Sequence, residues 1–167
     1  RILGLLDPLE IRQVTLVGHS FGARPTVEAA LRDPNRVQAL VLIDAALGLQ
    51  ATTGKPPFPA RVLLASAPIR DALVSATLTN PLLSRRLLRL LILDPADATD
   101  RQVRMIQQQF PVKGTTHALG VWLERMVLAQ DHSMAGDRAE YSRLGMPALV
   151  VWGAADSITP LPHAQDL

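Results

Sequence analysis

Apolar positions along the chain follow two periods, and the change from one to the other lays out its elements. Gln13 to Val17 and Val37 to Ile43 are nearly unbroken apolar runs rich in β-branched residues, the pattern of parallel strands buried on both faces. Ala23 to about Arg32 lies between them with helical character, and Asp33-Pro34-Asn35 stops it. Strand, helix and strand in succession predict a βαβ unit, whose right-handed crossover puts helices on the faces of a parallel sheet. Such sheets bind ligands beyond the carboxyl ends of their strands, so Ser20 and Asp44, which follow the two runs, are the first residues to read for chemistry.

The flanking segments fit the same scheme. Ile2, Leu5, Leu6 and Leu9 have helical spacing, and Pro8 limits the regular part to the closing turns of a helix over Arg1 to Asp7. From Ala45 to about Leu144 strand-like runs are absent and amphipathic helices take over. Thr52 to Pro57 is a linker by composition; Asn80-Pro81 opens a helix striped by Leu83, Leu87, Leu90 and Leu91; Thr99 with Gln102 forms a capping box closed downstream by Pro111. Thr115 or Thr116 caps a third helix whose Leu119, Trp122, Met126 and Ala129 share a face. The strand pattern returns at Pro147 to Trp152, followed by Gly153-Ala154-Ala155-Asp156-Ser157-Ile158-Thr159-Pro160. A parallel α/β core over residues 1–44 and 145–167, interrupted by a helical insertion over 45–144, is therefore expected.

Composition narrows this picture without redirecting it. With 48% hydrophobic and 19% charged residues, the 167 residues can bury one sizeable core. The formal net charge of +2 and calculated pI of about 9.7 come from a slight excess of arginine. The densest cluster, Arg85-Arg86-Leu87-Leu88-Arg89, reads as a solvated helix face, so nucleic acid is not an expected partner. The absence of cysteine excludes disulfides and thiol catalysis. Gln38, Asp44 and Arg89 interrupt the most apolar runs, so no membrane span is expected. The chain opens Arg1-Ile2-Leu3-Gly4 without Met or a signal-peptide pattern and stops at Asp166-Leu167, which leads us to expect an internal stretch of a longer protein.

The chemistry concentrates at Gly18-His19-Ser20-Phe21-Gly22. A strand that stops abruptly at a serine flanked by glycines, with a helix behind it, is a turn that thrusts a hydroxyl outward. Gly18 and Gly22 are expected to make room for the neighbouring strand and helix, and the Phe21 amide to face an oxyanion forming on a substrate carbonyl. The bland alternative, Ser20 as a helix cap, does not account for both glycines and the strand before them.

Three stretches together resemble the α/β-hydrolase superfamily, in particular its cap-bearing members: Leu16 to Gly22, the strand ending Leu42-Ile43-Asp44, and Pro147 to Asp156 with Pro160 behind it. The resemblance implies an α/β-hydrolase fold with a helical cap, incomplete at both ends. It implies Ser20 as nucleophile, Phe21 as donor of one oxyanion-hole amide and Asp156 as the acid that orients a catalytic histidine. Some members take their acid from the position of Asp44, but the Trp-Gly-x-x-Asp-x-x-x-Pro context favours Asp156, leaving Asp44 as a loop carboxylate that bonds nearby amides. None of His19, His117, His132 and His163 fits the base, which the family carries one strand later, beyond Leu167. Ala23-Arg24-Pro25 departs from the glycine common among relatives.

These residues imply hydrolysis of a carboxylic ester or related acyl compound through an acyl-enzyme on Ser20, with a small apolar or acyl substrate and with neither cofactor nor metal. Carbon–carbon bond hydrolysis, peracid formation and aminopeptidase activity use the same machinery and stay open, as does a binding protein on the same scaffold that does not turn its ligand over.

Overall fold

The computed structural model describes residues 1–48, 57–128, 133–165 and 167, so residues 52–56 of the expected linker, Ala129 and His132 lie outside the described residues. In chain order the elements are α1 (Ile2–Leu6), β1 (Val14–His19), α2 (Ala23–Arg32), β2 (Val37–Ile43), α3 (Phe58–Ala65), α4 (Ala67–Ala76), α5 (Ser84–Arg89), α6 (Asp100–Gln107), α7 (Thr115–Leu128), β3 (Ala148–Val151) and α8 (Pro162–Gln165). They form two compact units. One contains the chain up to residue 52 and from 131 onward; the other is 53–130.

The first unit is built on a parallel sheet in the order β1-β2-β3. Leu16, Leu40 and Ala148 lie side by side in register, as do His19, Ile43 and Val151, so all three strands reach the same carboxyl edge together. The α2 helix lies against one face. Its Ala23, Val27 and Leu31 are buried with Leu42 of β2, and Ala30 with Val37 and Leu40. Small residues on α2 let helix and sheet approach closely, and Leu40 and Val27 are among the largest side chains buried to within 2%.

Ala45, Leu47 and Ala135 join this core, although residues 45–144 as a block were expected in the helical insertion. The short turns 134–136 and 138–143 cover the same face. Glu28 of α2 accepts the Ala135 amide at 3.0 Å, and Tyr141 donates its hydroxyl to the Ala135 carbonyl at 2.9 Å. Burial pushes the Tyr141 phenol up to about 12, against the opposing charge of Arg24. The other face of the sheet is different. Val17, Leu149 and Val151 are all exposed in this chain. Among the described residues only β2 has a strand on each side, and only one face carries a helix.

Among its described residues the second unit has helices and turns and no strand, with α4 packed on α7 and α3 on both. Its centre is polar. Arg70 of α4, 3% exposed, reaches Asp71, Glu124 and the carbonyl of Leu64. Gly120 of α7 faces these side chains, and an added Cβ there would stand 2.8 Å from Asp71 Oδ1 and 2.9 Å from Arg70 Nε. Asn80 caps its turn as expected, accepting the Leu82 amide at 2.9 Å, but the regular helix begins only at Ser84. Thr99 caps α6 through a long 3.5 Å bond from Gln102. Leu90 and Leu91 of the predicted stripe stay exposed.

Candidate active site

The β1 strand ends at His19, and the chain turns through Ser20–Gly22 as a single tight 3-10 turn before α2 begins. Ser20 has φ 50°, in the left-handed region that disfavours residues with a Cβ. Such strain persists only where the surroundings over-determine it. Here the Ser20 carbonyl accepts the Ala23 amide on one side and the Ala46 amide, at 3.0 Å, on the other. The elbow is thus tied both to its own helix and to the segment following β2.

The two glycines of the motif play unequal parts. A Cβ at Gly18 would sit 2.5 Å from the Ala23 Cα and 3.0 Å from its nitrogen, so strand and helix meet there with no room for a side chain. At Gly22 nothing lies within 4 Å, and its φ of −69° and ψ of −19° suit any residue. The expectation that both glycines clear space holds for Gly18 and not for Gly22 among the described residues. Phe21 occupies the first turn with its side chain half exposed. Arg24 is half-buried and donates to the Ser133 hydroxyl from Nε and Nη2 at 3.3 and 3.2 Å.

Beyond β2, Asp44 also turns left-handed, with φ 44°. Its amide donates to the Val151 carbonyl, and its Oδ1 accepts the Gly153 amide at 2.7 Å, the loop-binding role expected for it. Asp156 lies in the following turn. Its Oδ1 accepts the amides of Ile158 and Thr159 at 2.7 and 2.9 Å, and its Oδ2 accepts the Thr159 hydroxyl at 2.6 Å. Partial burial pushes its carboxyl up, but these bonds and the neighbouring His19 charge outweigh that and hold it below the ordinary aspartate value.

Thr159 was not singled out from the sequence. It is 5% exposed, its hydroxyl also lies 3.2 Å from the Asp44 carbonyl, and its own carbonyl accepts the Trp152 indole at 2.6 Å. An Asp followed three positions later by Thr in a Gly/Pro-bounded turn is a self-bonding pattern, and that was the available signal.

Ser20, Asp44 and Asp156 therefore all follow strands at one sheet edge. His117, by contrast, belongs to the second unit, where Nδ1 pairs with Asp71 Oδ2 at 2.7 Å, and His163 sits in the short α8. His19 closes β1 with its side chain exposed. Among the described residues no three His, Cys, Asp or Glu side chains converge as metal ligands.

Comparison with known proteins bears directly on this arrangement. The family model of the alpha/beta hydrolase fold matches residues 2–167. The chain belongs to this family. It is 32% identical over 168 residues to the dihydrolipoyllysine-residue acetyltransferase component of the acetoin cleaving system of Pseudomonas putida, covering 98% of this chain and 40% of that protein. It is 27% identical to a 2-hydroxy-6-oxononadienedioate/2-hydroxy-6-oxononatrienedioate hydrolase of Cupriavidus pinatubonensis, covering 95% of this chain and 51% of the relative. The fold matches that of a meta-cleavage product hydrolase from Pseudomonas fluorescens IP01 with a TM-score of 0.69 at 22% identity, over 99% of this chain and 55% of the other. This α/β-hydrolase chain thus spans about half the length of the relatives it matches. No helix among the described residues is long and apolar enough to cross a membrane.

Proposed function

We propose that the protein carrying this chain is a serine hydrolase that cleaves a bond beside a carbonyl through an acyl-enzyme on Ser20. The observation that carries the reading is the left-handed Ser20 at the strand–helix elbow, locked from both sides and pressed against α2 through Gly18. A strained serine serves no packing purpose there, because the same turn would form more cheaply with glycine.

In this mechanism Ser20 Oγ attacks the carbonyl carbon while a histidine takes its proton. The Phe21 amide stabilises the oxyanion, and the leaving group departs with the proton returned by the histidine. Water then attacks the acyl-enzyme by the same route and regenerates Ser20. Asp156 supports the positive charge and tautomer of that histidine, which the reading assigns to the protein beyond this chain. A carboxylate already held ionised by three donors suits that part. The helical unit 53–130 is assigned the role of cap, and with it the choice of substrate.

An ester or related small acyl compound is the first substrate class. The names of the relatives, among them the Cupriavidus enzyme and a 2-hydroxymuconate semialdehyde hydrolase from a Pseudomonas strain, favour a second within the same chemistry: hydrolysis of a carbon–carbon bond next to a ketone in an unsaturated keto acid. Labelling with a serine-directed fluorophosphonate tests the nucleophile. We expect one adduct on Ser20 and none in Ser20→Ala; a folded sample that leaves Ser20 unlabelled overturns the proposal. Turnover of p-nitrophenyl esters against a 2-hydroxy-6-oxo dienoate then separates the two substrate classes.

A further inference from the structure

We infer that Thr159 is a positioning residue for Asp156: with Oδ1 filled by backbone amides, its hydroxyl holds in place Oδ2, the carboxylate oxygen left to receive the catalytic histidine. The inference rests on the reading of Asp156 as the acid of the site.

An ionised carboxylate offers roughly four acceptor sites, two on each oxygen. Three donors are already present on Asp156. The Ile158 and Thr159 amides fill Oδ1 at 2.7 and 2.9 Å, and the Thr159 hydroxyl takes one site on Oδ2 at 2.6 Å. The place left for an incoming imidazole N–H is therefore on Oδ2, the oxygen that Thr159 holds. A backbone amide is fixed by the chain, but a hydroxyl rotates, so its orientation has to be set by its surroundings. The surroundings here set it. Thr159 is buried, its carbonyl is fastened by the Trp152 indole at 2.6 Å, and the second acceptor near its hydroxyl, the Asp44 carbonyl at 3.2 Å, is more distant and uncharged. The charged and nearer oxygen takes the proton.

Asp44 extends the arrangement. By accepting the Gly153 amide at 2.7 Å it anchors the start of the turn whose far end Thr159 anchors. The turn bearing Asp156 is thus held at its start by Asp44, which closes β2, and at its far end by the Trp152 indole on the Thr159 carbonyl. A carboxylate so held loses little freedom when the imidazole arrives, which is what an orienting acid requires.

The test compares Thr159→Val, which keeps the shape and removes the hydroxyl, with Thr159→Ser, which keeps the hydroxyl, in the protein carrying this chain. Asp156 is titrated by carboxylate NMR, and kcat and KM are measured on whichever ester or keto acid the protein turns over. We expect Thr159→Val to raise the Asp156 pKa toward the ordinary aspartate value and to lower kcat roughly tenfold, the scale of one charge-assisted hydrogen bond, with KM little changed. Thr159→Ser should restore both. An Asp156 that titrates alike in Thr159→Val and the unsubstituted protein overturns the inference, as does a Ser variant no better than Val. If Thr159→Val does not fold, Thr159→Cys, with a far weaker donor, carries the same expectation, and an unshifted Asp156 there overturns it. The titration needs no turnover. Loss of Ser20 labelling would sink the serine-hydrolase reading without moving it, so the two failures are distinguishable.

Discussion

Gly18→Ala is expected to separate the two glycines of the elbow energetically. The new methyl would stand 2.5 Å from the Ala23 Cα, 3.0 Å from its nitrogen and 2.9 Å from Thr26 Oγ1. Non-bonded carbons rest at about 3.5–4.0 Å, so the first turn of α2 has to retreat from β1 by roughly 1 Å. Rotating Thr26 away gives no relief, since two of the three obstructing atoms are backbone and its hydroxyl is bonded to the Gly22 carbonyl at 2.8 Å. Overpacking of this kind costs about 1–3 kcal/mol, and a backbone obstruction belongs at the upper end, about 3 kcal/mol. For a domain of this size that is a fall in Tm of about 6–12 °C. Gly22→Ala is the matched control: with open space and helical dihedrals it should lie within about 0.5 kcal/mol of the unsubstituted protein or gain slightly from reduced unfolded-state entropy. Urea unfolding of both variants, with the rate of Ser20 labelling followed in parallel, measures the difference. Equal costs at the two positions, or a Gly18→Ala protein as stable as its parent, would refute the argument from close approach.

Ser20→Gly and Ser20→Ala should both abolish labelling, but the glycine variant should be more stable by about 1 kcal/mol, because only the alanine keeps a Cβ at φ 50°; equal melting temperatures would remove the strain from the account. Arg70→Met should destabilise the helical unit by about 2 kcal/mol, less than a fully buried pair would lose, since Glu124 and Asp71 are each about a third exposed and can be rehydrated; hydrogen exchange of the α4 and α7 amides reads the loss. The His117 bond, against a smaller desolvation, holds the Asp71 carboxyl below its ordinary value, so its contribution is present above the unfolded value of about 3.9 and disappears as pH falls through the lower native one. In His117→Ala, carboxylate NMR should find Asp71 titrating closer to that ordinary value.

What could be read in the sequence depended on how local each determinant is. The β1, α2 and β2 elements and the elbow were legible because period, stop signal and turn residues all lie within a few positions of one another. The inequality of Gly18 and Gly22 is invisible to a motif, because it turns on how closely Ala23 approaches one of them. Thr159 and Arg70 escaped for a related reason. Their partners are fixed by turns and helix crossings, and neither residue type is by itself a chemical signal. The boundary of the helical unit also moved inward, as Ala45, Leu47 and Ala135 proved to be core residues of the sheet.

The contact between Arg24 and the segments at Gly48 and Ser133 bears on how such a chain can diversify. The guanidinium lies against Gly48, where an added Cβ would be 3.3 Å from Nη1, and donates to the Ser133 hydroxyl. One side chain at the start of α2 therefore clasps the strand of polypeptide leaving the sheet and the strand coming back. With exit and return pinned together, the length and content of what is strung between them are not dictated by the sheet. Under the proposed function, in which that cassette is the cap, its exchange would change the substrate taken and leave the serine elbow in place.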